Sequence, residues 1–282
     1  MEEEKQKKEP KDRSSDALTE GFDLLDIAER GRNITVRDDQ YDYDWIKDAA
    51  GMCRKKGYRF RLIDTGRFEK IDLMWLIDSG LDIYTDDQTR KDFKELEELV
   101  LECNKKDSLL AYLQTGEFGK REESKASVFS GLITIARSGA YIYVSSWEAE
   151  TEWSALNELA RCCREGNTRL VYYHHGPLDP IFEEIGSHGP WIHITDKVID
   201  RENLQLLLDT CQNANLNGGG LIVHLNSEVE YDLVEDLVEG GAHILFLYAQ
   251  FDYKSPFKEL EKRVPKKTYD FRAYYLQHDF FL

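Results

Sequence analysis

"LIDSGLDIYTDD" (residues 76–87) and "ARSGAYIYVSS" (136–146, preceded by Ile135) share one pattern: an apolar residue, three spacers, glycine, two spacers, isoleucine, tyrosine. A glycine turn of this kind invites a phosphate-loop reading, but the pattern without its tyrosine recurs along the chain. It is found at Ile27…Gly31-Arg-Asn-Ile34, Leu76…Gly80-Leu-Asp-Ile83, Ile135…Gly139-Ala-Tyr-Ile142, Ile185…Gly189-Pro-Trp-Ile192 and Leu237…Gly241-Ala-His-Ile244. The glycines lie 49, 59, 50 and 52 residues apart, a regularity that marks a repeated structural unit.

The cysteines share that register. Downstream of each glycine a charged, helix-periodic stretch ends in a pair four residues apart: Ala49/Cys53, Leu99/Cys103, Leu159/Cys163, Leu207/Cys211 and Leu260/Val264. Such pairs lie on one helix face. Four of the five cysteines are therefore one position of a repeated helix, expected to be a small buried packing residue; Cys162 stands apart. With an odd count and no CxxC, neither a disulfide framework nor a zinc cluster is indicated.

Each unit holds two short runs rich in β-branched and aromatic residues. One follows the glycine ("NITVRD", "LDIYTD", "AYIYVSS", "PWIHITD", "AHILFLY"). The other follows the cysteine helix ("YRFRLIDTG", "SLLAYLQTG", "TRLVYYHHG", "GLIVHLNSE", "RAYYLQHDF"). Strand-like runs alternating with helical ones read as βα units with parallel strands, ten in all. The repeated glycine then closes a helix, where glycine accepts the left-handed conformation that a Cβ opposes. Positive φ is expected at Gly31, Gly80, Gly139, Gly189 and Gly241. Residues 1–15 read as a disordered tail of mixed charge, and 16–282 as a single α/β repeat domain whose first helix, 16–31, caps the array.

Alternation along the strands assigns faces. In the first set Ile34/Val36, Ile83/Thr85, Ile142/Val144, Ile192/Ile194 and Ile244/Phe246 are expected to meet the helices, with Thr35, Tyr84, Tyr143, His193 and Leu245 opposite. In the second, Ile63, Leu113, Tyr173, Leu225 and Leu276 are placed on the helix side and Leu62, Tyr112, Tyr172, His224 and Tyr275 opposite. The result is a ribbon of tyrosine and histidine on the helix-free face. An open, horseshoe-like curved parallel sheet with helices outside fits it better than a closed TIM-like barrel, whose eight strands enclose aliphatic layers. The barrel is the close alternative.

The net charge of −17 opposes nucleic-acid binding and anionic membranes, and no apolar run is long enough for membrane insertion. No secretory leader pattern opens the chain, so a cytoplasmic location is expected.

Two functional readings follow. The first is a non-catalytic interaction or scaffold protein. A protein or peptide partner, basic in character, would lie on the concave ribbon of Tyr84, Tyr112, Tyr143, Tyr172, His193, His224 and Tyr275. The alternative is a barrel-like, metal-dependent hydrolase working at the C-terminal strand ends. Its candidate catalytic residues are His174, His175 and Asp64, and its candidate metal ligands Asp64, Asp86 and His174. The Asp, Ser, Thr and Asn residues at strand ends equally suit turn formation and helix capping. "NLNGGGLIVH" (215–224) follows a helix and precedes a strand, the reverse of a phosphate loop. "RDDQYDYDW" (37–45) lacks the glycine and closing glutamate of a calcium loop and reads as an acidic loop entering a helix. No cofactor motif is found, and none is expected.

Overall fold

The repeated glycines do end helices. In the computed structural model φ is +73° at Gly31, +90° at Gly80, +109° at Gly139, +72° at Gly189 and +95° at Gly241. A second series of left-handed residues, Gly57, Asp107, Asn167 and Gly218, lies beyond the ends of the cysteine helices. There glycine alternates with Asp and Asn, the side chains that tolerate this conformation best. The structure describes residues 24–147, 152–227, 229–246, 256–263 and 271–276.

Between these punctuation points run nine strands: β1 (Ile34–Arg37), β2 (Phe60–Ile63), β3 (Leu81–Asp86), β4 (Leu110–Gln114), β5 (Tyr141–Ser145), β6 (Leu170–Tyr173), β7 (Trp191–Thr195), β8 (Gly220–Leu225) and β9 (His243–Phe246). They pair in chain order, all parallel, in one open sheet edged by β1 and β9. The helices are α1 (Leu24–Glu29), α2 (Tyr43–Lys55), α3 (Lys70–Asp78), α4 (Phe93–Lys105), α5 (Glu123–Ser138), α6 (Trp153–Glu165), α7 (Ile181–Gly186), α8 (Leu204–Leu216), α9 (Tyr231–Glu239) and α10 (Pro256–Arg263). Successive helices pack on one another, as expected where every crossover returns on the same side of the sheet. The long glycine interval is taken up largely by α5, which has 16 residues where α3 and α9 have 9.

The main core lies between the helices and one sheet face. Ile34, Val36, Ile83, Ile142, Val144, Ile192, Ile194 and Ile244 belong to it, as alternation in the first strand set requires. Cys53, Cys103, Cys163 and Cys211 are fully buried there beside Ala49, Leu99, Leu159 and Leu207, and Cys162 is buried too. Val264 lies outside the described residues. Leu24 and Ala28 of α1 are buried against the array, where α1 packs on α2.

Two expectations are corrected. The second strand set carries a slip of one residue in three copies. Leu62, Tyr112 and Tyr172 face the helices, and Ile63, Leu113 and Tyr173 face the opposite side. Tyr173 pairs with Ser145 and His224 with Thr195, each six residues after a repeated glycine, which makes His224 rather than Leu225 the counterpart of Tyr173. Since side chains alternate strictly, misplacing one copy by one residue inverts the faces of the others. The second correction concerns "RAYYLQHDF". Its described part is no tenth strand: Phe271–Ala273 is a 3-10 turn, and Ala273 and Tyr275 are buried with the residues of the helix-free face. Gln277, His278 and Asp279 lie outside the described residues, as do residues 1–15.

Candidate active site

The C-terminal segment fills the inner face of the sheet. Tyr143 Oη donates to the Arg272 carbonyl at 2.9 Å, and the Tyr275 amide donates to Tyr173 Oη at 3.1 Å. Tyr275 Oη donates to the Thr85 carbonyl at 3.0 Å, and its ring packs on Tyr84 and Tyr143 at centroid distances of 5.9 and 5.0 Å. His193 Nε2 meets the Ala273 carbonyl at 2.7 Å. One short segment thus touches β3, β5, β6 and β7.

This overturns the non-catalytic scaffold with an open aromatic ribbon. Tyr84, Tyr143 and His193 are 0% exposed, beneath the chain's own residues, and His224 and Tyr275 are buried. Tyr112 and Tyr172 lie in the helix-side core, where Tyr112 Oη donates to the Arg90 carbonyl and Tyr172 Oη meets His174 Nδ1. A ring with an apolar body and one polar tip suits such burial when the tip finds a partner.

The metal set is not assembled either. Asp64 is buried and bound by Arg90, whose Nη2 lies 3.1 Å from Asp64 Oδ1. Asp86 Oδ1 accepts from the Gln88 and Thr89 amides. His174 sits among Trp153, Tyr172 and Phe182, with Nε2 on the Gly176 carbonyl. Among the described residues no three His, Cys, Asp or Glu side chains gather in a metal-holding group.

The strand-end acids have a shared structural task. Seven residues after the repeated glycine stand Asp38, Asp87, Ser146 and Asp196. Each side chain reaches the turn that follows the next strand. Asp38 accepts from Thr65 Oγ1 and the Arg67 amide. Asp87 accepts from the Thr115 and Gly116 amides, and Asp196 from the Asn226 and Ser227 amides. Ser146 Oγ accepts from the His175 amide at 2.7 Å. These latches satisfy backbone donors at the sheet rim and hold neighbouring loops in register.

What is left at the C-terminal rim is a row of imidazoles. Thr195, the last residue of β7, pairs with His224 of β8, and His175 lies in the loop beyond β6. Thr195 and His224 lie one inner layer beyond His193, whose ring stacks on that of Tyr173 at 4.1 Å. His193 Nδ1 lies 2.8 Å from His224 Nε2. Burial lowers the pKa of His193 to about 3, against the opposing bond to Ala273. Burial, then His193 and His175, hold His224 well below its usual range. Burial, then His174 and Lys197, lower His175 to about 4. All three are neutral at pH 7. Only His175 is half-buried rather than buried; its ring packs at 4.6 Å on Trp147, which is 61% exposed, and Lys197 is exposed nearby.

Of the residues singled out from sequence, His175, His193 and His224 meet in this row, whereas Asp64, Asp86 and His174 do not join it. Thr195, Trp147 and the Ala273 carbonyl carried no sequence signal as site members. Thr195 becomes legible only once strand register is known, and Ala273 only once the last segment is seen to turn inward.

No family model matches the chain, and no curated protein matches it. Among solved structures it is similar to a putative fructose-1,6-biphosphate aldolase from Coccidioides immitis, at 13% identity over 76% of this chain and 87% of that one, with a TM-score of 0.33. It is also similar to chains of the tryptophan synthase complex from Pyrococcus furiosus. One has 12% identity over 83% and 94%, TM-score 0.30; another has 12% over 83% and 95%, TM-score 0.31. These are enzymes, but at such scores the likeness carries no residue and no activity over to this chain. The physical correction of the scaffold reading is the filled inner face.

Proposed function

We propose that the chain is an acid–base hydrolase of open α/β architecture, working on a small polar substrate at the C-terminal rim of β6–β8. The observation that carries this reading is the hydrogen-bonded pair His193–His224, anchored inside by the Ala273 carbonyl, with the half-buried His175 in the neighbouring loop. A neutral imidazole carries one unprotonated nitrogen able to accept a proton, and imidazoles in hydrogen-bonded contact can share the charge that forms. Thr195 places a hydroxyl in the same layer. Trp147 supplies an apolar shelf and Lys197 a positive charge beside it, which favours a substrate with a planar part and an anionic part. In parallel α/β sheets ligands gather at this end of the strands.

The test is turnover of chromogenic esters, phosphomonoesters and glycosides by the full chain, beside His175→Asn and His224→Asn. Expected is hydrolysis of at least one class, reduced 100-fold or more in either variant with the circular dichroism spectrum unchanged. Equal turnover in the variants, or none by the unmodified chain across the set, would overturn the reading.

A further inference from the structure

Residues 271–276 cover the inner face without joining the sheet ladder. Four hydrogen bonds seat them, and each has a side chain at one end. They are Tyr143 Oη to Arg272 O, His193 Nε2 with Ala273 O, the Tyr275 amide to Tyr173 Oη, and Tyr275 Oη to Thr85 O. The Tyr274 ring adds an edge contact to His193 at a centroid distance of 5.3 Å. Ala273 and Tyr275 are buried, whereas Arg272, Tyr274 and Leu276 are half-buried.

The main aliphatic core lies on the other face of the sheet, against the helices, so the segment can leave without opening it. Its departure would uncover Tyr84, Tyr143, Tyr173 and His193. These rings have an apolar body and a polar tip that water can meet. A layer of aliphatic side chains would resist the same exposure.

The contacts that seat the segment also close the proposed site. His193 is 0% exposed and His224 7%, and Ala273 O holds His193 Nε2. Substrate reaches neither ring while the segment is seated. We infer that residues 271–276 are an autoinhibitory strap, which shuts the His193–His224 pair from substrate when seated and opens the inner face when released. Tyr275 is its fastening: it makes two of the four bonds and packs on Tyr84 and Tyr143 at 5.9 and 5.0 Å. Turnover by the full chain then comes from the open minority, at a rate that scales with the released fraction. The inhibitory role rests on the acid–base reading above; the movement of the strap does not.

Acylation of histidine by diethyl pyrocarbonate at pH 7.5 reads this movement, followed by peptide mass spectrometry at His193, His224 and His188. His188 lies in an outer groove with Asn157 and Glu184 and is the reference that the strap does not cover. In the full chain His193 and His224 should react at least 10-fold more slowly than His188. Tyr275→Ala should raise both rates 10-fold or more and leave His188 unchanged. Tyr143→Phe, which removes one anchoring hydroxyl and keeps the ring, should raise them less. Equal rates at the three histidines in the unmodified chain would show the face already open and overturn the strap. Unchanged protection in both variants would overturn it too, as would a rise shared by His188 in both, which marks loosening of the whole fold. Turnover of the chromogenic set separates the two claims. A higher rate in Tyr275→Ala supports both. Faster acylation with turnover no higher than that of the unmodified chain overturns the inhibitory role. Faster acylation with no turnover by any form leaves the strap and sinks the acid–base reading.

Discussion

His193 and His224 sit on neighbouring strands with ring nitrogens 2.8 Å apart, although 31 residues separate them in the chain. A third partner, Ala273, arrives from a further 80 residues beyond His193. The pair is 0% and 7% exposed, so the fold holds two imidazoles where charge is disfavoured.

That burial makes stability depend on pH. The folded-state pKa values of His193, His175 and His224 lie below the unfolded value of roughly 6.5. Below that pH the unfolded chain binds protons that the folded one refuses, so stability is complete above it and falls as pH drops toward 4. In the middle of the window His193 alone costs about 1.4 kcal/mol per pH unit. Urea midpoints measured from pH 7.5 to 4.5 should fall, and His193→Gln should flatten the slope. A midpoint that rises on acidification would refute the buried neutral row.

The helix-ending glycines differ in what a side chain would meet. A Cβ at Gly189 would lie 2.3 Å from the Asn217 carbonyl oxygen, in a backbone with φ of +72°. At Gly57, φ is +77° but nothing lies within 4 Å. Gly57→Ala should cost roughly 1–2 kcal/mol, from backbone conformation alone. Gly189→Ala should cost roughly 3 kcal/mol or more, since rigid backbone must also move. Chemical denaturation of both variants checks the order.

Arg90 holds Asp64 inside the fold and also contacts Glu95 and the Phe68 carbonyl. Arg90→Met leaves a buried carboxylate without its cation and should destabilise by roughly 3–5 kcal/mol. The paired change Arg90→Met with Asp64→Leu should recover much of that loss. Such recovery identifies Asp64 as structural; its absence would reopen a chemical role at the end of β2.

The rim latches make a milder prediction. Asp87→Ala strands the Thr115 and Gly116 amides and should cost roughly 1–3 kcal/mol. Ser146, the serine of the series, should accept Ser146→Asp with a smaller effect, since an acid stands at the three equivalent places. Thermal melts of the two variants compare them directly.

Much of the architecture was legible because it is periodic. The five glycines, the cysteine helices and the apolar face of the first strand set each repeat, and repetition cancels local noise. The faces of the second strand set are less legible, because "GLIVHLNSE" can be set against the other copies in two registers one residue apart and tyrosines suit either face. The site was less legible because its members do not repeat. His224 and His193 meet through strand register, and Tyr275 meets Tyr143 through a segment that leaves the repeat pattern. Periodicity says nothing of where such a segment turns.

The seating of that segment supports both the corrected face and the covered histidines, and one measurement addresses it. Tyrosine rings in the folded full chain can be selectively labelled and nuclear Overhauser contacts recorded between Tyr275 and Tyr143, whose centroids lie 5.0 Å apart. Strong cross-peaks, with Tyr275 protected from solvent, are expected. A Tyr275 ring free in solvent, with no contact to Tyr143 or Tyr84, would show the inner face open and contradict the filled sheet.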